Sequence, residues 1–379
     1  MSLLLASVAV AGVMLLAGCK NIFKKQELIG GYALSPSIDT TYQYKDIKIG
    51  FVFNGFIGDK GWSSAHNEAR RQLEAALGVK TDYIGNASDC EGSVEGAIRE
   101  LISKDCNVIV ACSSSFEEDT HKVAKEYPDI KFFCCAGLET AENVSCYFGR
   151  KYEANYLCGI VAGLRTKTNK LGAVCAMPIP EAIRLIDAYA LGVRLVNKDA
   201  KVLVKYTGSW FDPLKEKSNA IELINLGCDI ISQNQNSTAA QSATRHARKT
   251  GKEIWCIGEN IPNYVDSPDC YLTAPIFNFY PYYKKQLNDM IKGTWKSSSY
   301  WGGIEDEIIS LDSLSPNCAE GTQEIVKREE QRIIDGENHI FDGPIFDNNG
   351  ILKVNEGKHL SDDELKSISW YVEGIEVLD

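Results

Sequence analysis

The 379-residue chain lacks most of the short motifs that carry enzymatic or metal chemistry. Its 13 cysteines and five histidines form no CxxC or CxxH group, and zinc sites depend on such spacing. No G-x-S-x-G elbow surrounds Ser113-Ser114-Ser115, which argues against a hydrolytic nucleophile. No G-x-G-x-x-G or Walker A spacing follows the first strand-like run. We therefore expect no metal, no cofactor and no catalytic residue.

The chain also has fewer basic than acidic residues. Lys and Arg number 40 against 51 Asp and Glu, so the formal net charge is −11. A polyanion is a poor partner for such a chain, and no nucleic acid is expected. The length and the 44% hydrophobic content fit two domains, each with its own core. Most cysteines are expected to be small buried hydrophobes, because several lie inside apolar runs, among them Cys106, Cys112, Cys134, Cys135 and Cys175.

The N-terminal residues predict an export signal. Leu3–Leu16 is apolar but too short to cross a bilayer comfortably, and it leads into Leu16-Ala17-Gly18-Cys19. That ending resembles a bacterial lipobox, in which Cys19 would receive the acyl chains. No Lys or Arg lies between Met1 and Cys19, which departs from the usual basic start. We predict a signal peptide over 1–18, a polar tether over 19–45 and a lipid anchor on the extracytoplasmic face of the cell membrane.

Strand-like and helix-like segments alternate from Ile47 onward. Apolar runs such as Lys131–Cys135 are separated by amphipathic segments, which indicates parallel sheets with helices on both faces. The pattern starts again at Leu171, so we predict an α/β fold of two doubly wound lobes joined near Leu157–Thr168. Tyr271–Ala274 is expected to return to the first lobe as a strand. The predicted boundaries are 46–162 with 272–305 for lobe 1, and 163–271 with 306–379 for lobe 2 and a C-terminal extension.

Ligands of such sheets lie beyond the carboxyl ends of the strands. Five loops are therefore expected around one interlobe cleft: Asn54–Trp62, Cys112–Phe116, Gly208–Asp212, Gln233–Asn236 and Gly258–Asn263. Trp62 and either Trp210 or Phe211 are expected to stack on a flat heterocycle from opposite lobes. Amides both donate and accept, which suits the edge of a base. The predicted ligand-binding residues are Trp62, His66, Ser115, Phe116, Trp210, Phe211, Asn234, Gln235, Glu259 and Asn278.

Each of these assignments has a plainer alternative. The aromatic side chains could belong to the core, and the amide run Gln233–Asn236 could be a solvated turn. His66, four residues after Trp62 on the same helical face, could be a structural histidine.

Several longer motifs then resemble one family. They are Gly58-Asp59-Lys60-Gly61-Trp62, the run from Tyr127 to Phe132, Gly159–Thr168, the run from Tyr206 to Pro213, and Gly293-Thr294-Trp295. Together they resemble the basic membrane protein (BMP) lipoproteins, the substrate-binding subunits of ABC importers for purine nucleosides and related compounds. The resemblance implies a type I periplasmic-binding fold with a multi-segment hinge, a small-molecule ligand and a permease partner.

The chain departs from the nucleoside-binding members of that family. Trp62 stands where those members have Phe, and Gly258-Glu259-Asn260 replaces an acidic G-V-D-x-D loop. Pro275-Ile276-Phe277-Asn278 occupies the place of a Lys that, with the Asp, holds the ribose. The resemblance thus favours a purine base such as adenine, captured by neutral groups. The alternatives are a nucleoside or other small solute, a surface receptor with the same fold and an α/β enzyme.

Overall fold

The structure, a computed structural model, describes residues 43–87 and 93–378. The predicted signal peptide, Cys19 and most of the tether lie outside the described residues. The strands are β1 (Lys48–Val52), β2 (Lys80–Ile84), β3 (Val108–Ala111), β4 (Lys131–Cys135), β5 (Val144–Gly149), β6 (Lys170–Cys175), β7 (Lys201–Tyr206), β8 (Ile230–Asn234), β9 (Trp255–Cys256), β10 (Pro275–Phe277), β11 (Ser299–Gly302), β12 (Ile309–Leu311), β13 (Ile345–Phe346), β14 (Leu352–Val354) and β15 (Ile375–Val377). The helices are α1 (Trp62–Leu77), α2 (Ser93–Ser103), α3 (Glu117–Ala124), α4 (Tyr152–Arg165), α5 (Pro180–Val196), α6 (Pro213–Asn225), α7 (Ala239–Lys249), α8 (Tyr280–Ile291), α9 (Thr322–Ile334) and α10 (Asp362–Lys366).

Two parallel sheets form the centres of two lobes. The first has the order β11-β5-β4-β3-β1-β2 and the second the order β15-β7-β6-β8-β9, and every pairing within them is parallel. The interior strands β3 and β8 are buried along their whole length, as strands covered by helices on both faces must be. The predicted α/β class is confirmed.

The chain passes between the two sheets three times. Strands β1 to β5 belong to the first sheet and β6 to β9 to the second, then β11 returns to the first and β15 to the second. The returning strand is therefore β11, and the expectation that Tyr271–Ala274 fills this place is wrong. Tyr271 instead forms a parallel bridge to Cys256 beside the second sheet, because the connection after β9 first folds back on its own lobe.

Helix α4 occupies the first crossing and packs backbone to backbone on α5. A Cβ atom added to Gly159 would lie 2.0 Å from the Tyr189 carbonyl oxygen, and one added to Gly192 would lie 2.0 Å from that of Tyr156. Only glycine permits this approach at the two positions. The glycines thus hold the second lobe close to the hinge.

The C-terminal part of the chain completes the second lobe. Strand β15 pairs with β7, and the Val372 N–H donates to the Asp187 carboxylate at 3.0 Å. Helix α9 lies within the charged segment Glu320–Asp335, and β13 and β14 form an antiparallel pair. Among the described helices, none combines the length and apolar character needed to cross a membrane.

Candidate functional site

A cavity of about 250 Å³ lies where the carboxyl ends of strands from both sheets face each other. This is the position that parallel α/β sheets offer to ligands, and it matches the predicted cleft. The lining residues are Asn54, Trp62, Ser113, Ser114, Ser115, Ala136, Phe148, Lys151, Met177, Glu181, Trp210, Asn234, Asn236 and Asn260.

Two tryptophans face this cavity from opposite lobes. Trp62 opens α1, and its indole N–H donates to the Cys112 carbonyl oxygen at 2.7 Å. Phe277 and Phe279 meet the Trp62 ring edge-on at centroid distances of 5.2 and 5.6 Å, which fixes its plane. Trp210 lies in the loop between β7 and α6, and its carbonyl oxygen accepts the Asn236 N–H at 2.9 Å. The Trp62 indole is therefore held before any ligand enters, and the backbone at Trp210 is fixed by its bond to Asn236.

A buried ion pair lies at one side of the cavity. The Lys151 ammonium contacts the Glu259 carboxylate, and the two side chains are only 4% and 2% exposed. Lys151 also donates to the Asn260 side-chain oxygen at 3.0 Å, and the Asn234 amide donates to Glu259 at 3.0 Å. Burial raises the pKa of Glu259, and the Lys151 charge opposes that rise. The positive charge of Lys151 is thus already neutralised within the protein.

Some acceptor atoms beside this pair remain unused. The second oxygen of Glu259 and the side-chain oxygen of Asn234 are buried and have no hydrogen-bond donor among the described residues. Asn260 adopts a left-handed backbone with φ of 63°, a conformation that asparagine tolerates better than most residues. Buried acceptors without donors cost free energy unless a ligand or water supplies the missing N–H or O–H.

Glu181 adds an uncommitted carboxylate to the wall. It lies in the first turn of α5, the helix that follows β6. Its carboxylate makes no hydrogen bond or ion pair with any residue of 43–87 or 93–378. Desolvation raises its pKa, and attraction to Arg184 and Lys151 only partly offsets this. A group in this state is suited to accept N–H or O–H donors from a bound molecule.

The two lobes touch around the mouth of the cavity. Lys60 forms an ion pair with Asp266 at 2.5 Å, and the Phe56 and Phe211 rings meet edge-to-face at 6.2 Å. Asn236 packs closely on Gly61: a Cβ atom added to Gly61 would lie 2.9 Å from the Cα atom of Asn236. The structure therefore represents a closed arrangement of the cleft.

The structure brings four of the ten predicted ligand residues to the cavity wall. These are Trp62, Ser115, Trp210 and Asn234. Glu259 lies behind the wall, where it is bonded to Asn234 and Lys151.

The other five predicted residues lie elsewhere. His66 is fully buried behind Trp62, where its Nδ1 lies 2.7 Å from the Tyr283 hydroxyl and its ring stacks on Phe279 at 3.8 Å. Burial holds its pKa well below the usual value. Phe116 is 0% exposed in the core of the first lobe. The helical face that carries His66 points inward because the core on that side is aromatic.

Three corrections concern the second lobe and the hinge. Phe211 is 46% exposed and packs on Phe56 outside the cavity. Gln235 is buried and donates to the Thr207 hydroxyl at 2.8 Å, so its side chain does not join those of Asn234 and Asn236 at the cavity. Asn278 lines a different cavity beside α1.

Sequence reasoning missed Lys151 and Glu181, and with them the charge of the site. The expectation of a wall made of neutral groups alone is wrong. The cavity is lined by Lys151 and Glu181, which lie outside the five loops predicted around the cleft. Both residues lie in the connections that follow β5 and β6. The same expectation, that ligands lie beyond the carboxyl ends of parallel strands, could therefore have identified them.

Comparison with known proteins agrees with this architecture. A family model described as ABC transporter substrate-binding protein PnrA-like matches residues 46–340. A purine-binding protein of Brucella abortus is 33% identical over 332 residues, covering 87% of this chain and 93% of its own. A Haloferax volcanii protein named as an ABC transporter glucose-binding protein is also 33% identical over 332 residues, covering 87% and 80%.

Solved structures share the same fold. An ABC transporter solute-binding protein from Aeropyrum pernix superposes with a TM-score of 0.68 at 20% identity, covering 84% of this chain and 97% of its own. One from Conexibacter woesei gives 0.67 at 20% identity, covering 77% and 97%. The predicted periplasmic-binding-protein fold is thereby confirmed.

Proposed function

Because the chain belongs to the family of PnrA-like ABC transporter substrate-binding proteins, we propose that it captures a purine base in the interlobe cavity for import. The observation that carries this proposal is the pair of tryptophans, Trp62 and Trp210, which line one small cavity from opposite lobes. An indole on each side suits a flat ring, and each offset stack adds about 0.5–1.5 kcal/mol beyond burial.

The size of the cavity supports a base over a nucleoside. Its volume of about 250 Å³ is below the range of roughly 300–1,000 Å³ that holds drug-sized ligands. A ribose would need space and hydroxyl partners in addition to those that the ring occupies.

The polar groups of the wall suit the edge of a purine. The edge of such a base carries both ring nitrogens that accept and N–H groups that donate. Glu181 and the Asn234 oxygen take donors, while the Asn54 and Asn236 amides serve either role. An analogue that left one of these buried groups unpaired would lose about 1–3 kcal/mol.

Calorimetric titration with adenine, guanine, adenosine and glucose tests the proposal. We expect a free base to bind most tightly. Trp210→Ala is expected to weaken that binding by about tenfold or more, through lost stacking and lost burial. Leu214→Ala is the matched control, because this residue four positions further on is 83% exposed and does not line the cavity. Equal affinity of the Trp210→Ala variant and the wild type would remove the stacking mechanism.

Glucose is the second candidate, since a relative of equal identity bears a glucose-binding name. Binding of glucose with no response to any purine would overturn the purine proposal and leave solute capture intact. Glu181→Gln separates the two chemistries further. The amide replaces one acceptor by a donor, so we expect purines that offer an N–H there to lose about tenfold in affinity.

We further propose that the protein is held on the extracytoplasmic face of the cell membrane through acylated Cys19 and docks on permease subunits. The support is the Leu16–Cys19 motif together with the family assignment. Metabolic labelling with a radioactive fatty acid should mark the wild type and leave the Cys19→Ser variant unlabelled. Label retained in that variant would place the anchor elsewhere.

A further inference from the structure

Three potential metal ligands converge in the C-terminal segment, about which the family match says little because it ends at residue 340. They are His339, Asp342 and His359, and one ligand atom of each lies within 4.8 Å of those of the other two. All three are exposed, at 47%, 44% and 51%. Twenty positions separate the histidines in the sequence, so spacing alone could not reveal the cluster.

Backbone hydrogen bonds hold the three residues together. Asp342 and His359 form an antiparallel bridge, which sets His359 beside the turn that carries His339. The Asn338 side chain accepts the Ile340 N–H at 2.7 Å, and Ile340 adopts a left-handed φ of 66°. The turn is therefore shaped by its own contacts, so the ligands need little rearrangement to meet.

The Asp342 carboxylate is already oriented toward both imidazoles. One of its oxygens accepts the His339 backbone N–H at 2.9 Å. The other lies 3.2 Å from the Nδ1 of His339 and 3.9 Å from the Nδ1 of His359. Ligands of a tetrahedral zinc ion with bonds of 2.0–2.1 Å are about 3.3 Å apart, so these separations are close to those of a formed site.

The two imidazole rings must turn for a metal to enter. They are stacked at a centroid distance of 4.0 Å with 15° between their planes, whereas a metal ion lies in the plane of each ring that binds it. Because both side chains are about half exposed, rotation of the rings meets little resistance. The His339 backbone N–H donates to the Asp342 carboxylate, the kind of contact that orients ligands in metal sites.

We propose that His339, Asp342 and His359 form a surface site for a divalent transition-metal ion such as Zn²⁺. Two imidazoles and one carboxylate are borderline ligands that suit Zn²⁺, Ni²⁺ or Cu²⁺, whereas Ca²⁺ and Mg²⁺ require mainly oxygen. Water would complete the coordination. The bound ion would fasten the 338–342 turn to the 358–360 segment, independently of the solute in the cleft.

Isothermal titration of the full chain with Zn²⁺ tests this site. We expect one ion per chain, a higher thermal midpoint in its presence, and a loss of affinity of about tenfold or more in Asp342→Asn and His359→Gln. His246→Gln is the matched control, because His246 is an exposed histidine on α7 outside the cluster. Circular dichroism establishes that the variants are folded.

Several results would overturn the proposal. Zn²⁺ affinity unchanged in Asp342→Asn and His359→Gln would place the metal elsewhere. No saturable binding to the wild type would exclude the site, and tighter binding of Ca²⁺ than of Zn²⁺ would exclude the ligand class. Purine binding provides an independent readout, and we expect Asp342→Asn to leave it unchanged.

Discussion

Glu153 is a buried carboxyl group at the start of α4, only 8% exposed, whose oxygen accepts the Ile304 N–H at 2.7 Å. Desolvation raises its pKa from 4.5 to about 7. In the folded protein this group keeps its proton to a higher pH than in the unfolded chain. Its contribution to stability is therefore present below pH 4.5 and is lost as the pH rises through about 7.

This titration predicts that the free energy of unfolding falls between pH 5 and pH 8 by about 2 kcal/mol more in the wild type than in Glu153→Gln. The glutamine stays neutral at both values and keeps an oxygen for the Ile304 N–H. Urea unfolding of the two proteins at each pH measures the difference. The same pH dependence in both proteins would show that Glu153 is not the titrating group.

The position of a side chain at the cavity could be predicted where the side chain lies near the carboxyl end of a parallel strand. Trp62 and Trp210 belong to the loops that follow β1 and β7, Asn234 is the last residue of β8, and all three line the cavity. Lys151 and Glu181 were missed although they obey the same rule, because a lysine after a strand and a glutamate in the first turn of a helix are also ordinary surface residues. Only the packed structure distinguishes a buried charge from a solvated one.

At the scale of secondary-structure elements, helices α4 and α5 pack with their backbones in contact at Gly159 and Gly192. Helix α4 is buried on nearly all sides, so it lacks the amphipathic period that marks surface helices. Leu157–Thr168 was accordingly predicted as the junction between the lobes, with no helix assigned to it. Amphipathic helices such as α1 and α6, in contrast, bury one face only.

Gly192→Ala is expected to destabilise this helix pair. The new methyl group would lie 2.0 Å from the Tyr156 carbonyl oxygen, and overpacking of this kind costs about 1–3 kcal/mol or more. Gly96→Ala in α2 is the matched control, since nothing lies within 4 Å of its Cβ position. There the better helix propensity of alanine should stabilise the protein by up to about 1 kcal/mol. Chemical denaturation that found the two variants equally stable would contradict the contact.

At the scale of the whole molecule, Gly61 permits the close approach of the two lobes. A methyl group there would meet the Asn236 backbone across the cleft at 2.9 Å. Gly61→Ala should thus disfavour the closed state, with contacts inside each lobe unchanged. Contacts made only on closing contribute to affinity through this equilibrium.

We therefore expect Gly61→Ala to bind its solute about tenfold more weakly and to show less ligand-induced compaction by small-angle X-ray scattering. Gly58→Ala, in the same loop, serves as the control, because its nearest neighbour would be the Phe56 ring at an ordinary 3.5 Å. Wild-type affinity in the Gly61→Ala variant would mean that the ligand does not require this degree of closure.

The lobes themselves could be predicted from the sequence because each repeats the strand–helix alternation of a parallel sheet. The path between them could not, since β11 and β15 are short strands far along the chain whose partners are set by tertiary packing. The proximity of His339 and His359 could not be predicted from the sequence for the same reason, since tertiary packing brings them together.

The buried cysteines of this protein can serve as probes of its unfolding. All eleven in the described part of the chain are free thiols, and only Cys318 is more than marginally accessible. Burial raises the pKa of Cys146 and of Cys228 to about 12, so an alkylating reagent finds almost no thiolate at these two positions while the fold is intact. The rate of alkylation would then report how often each core opens, and any unfolded fraction would cross-link in air unless a reductant is present.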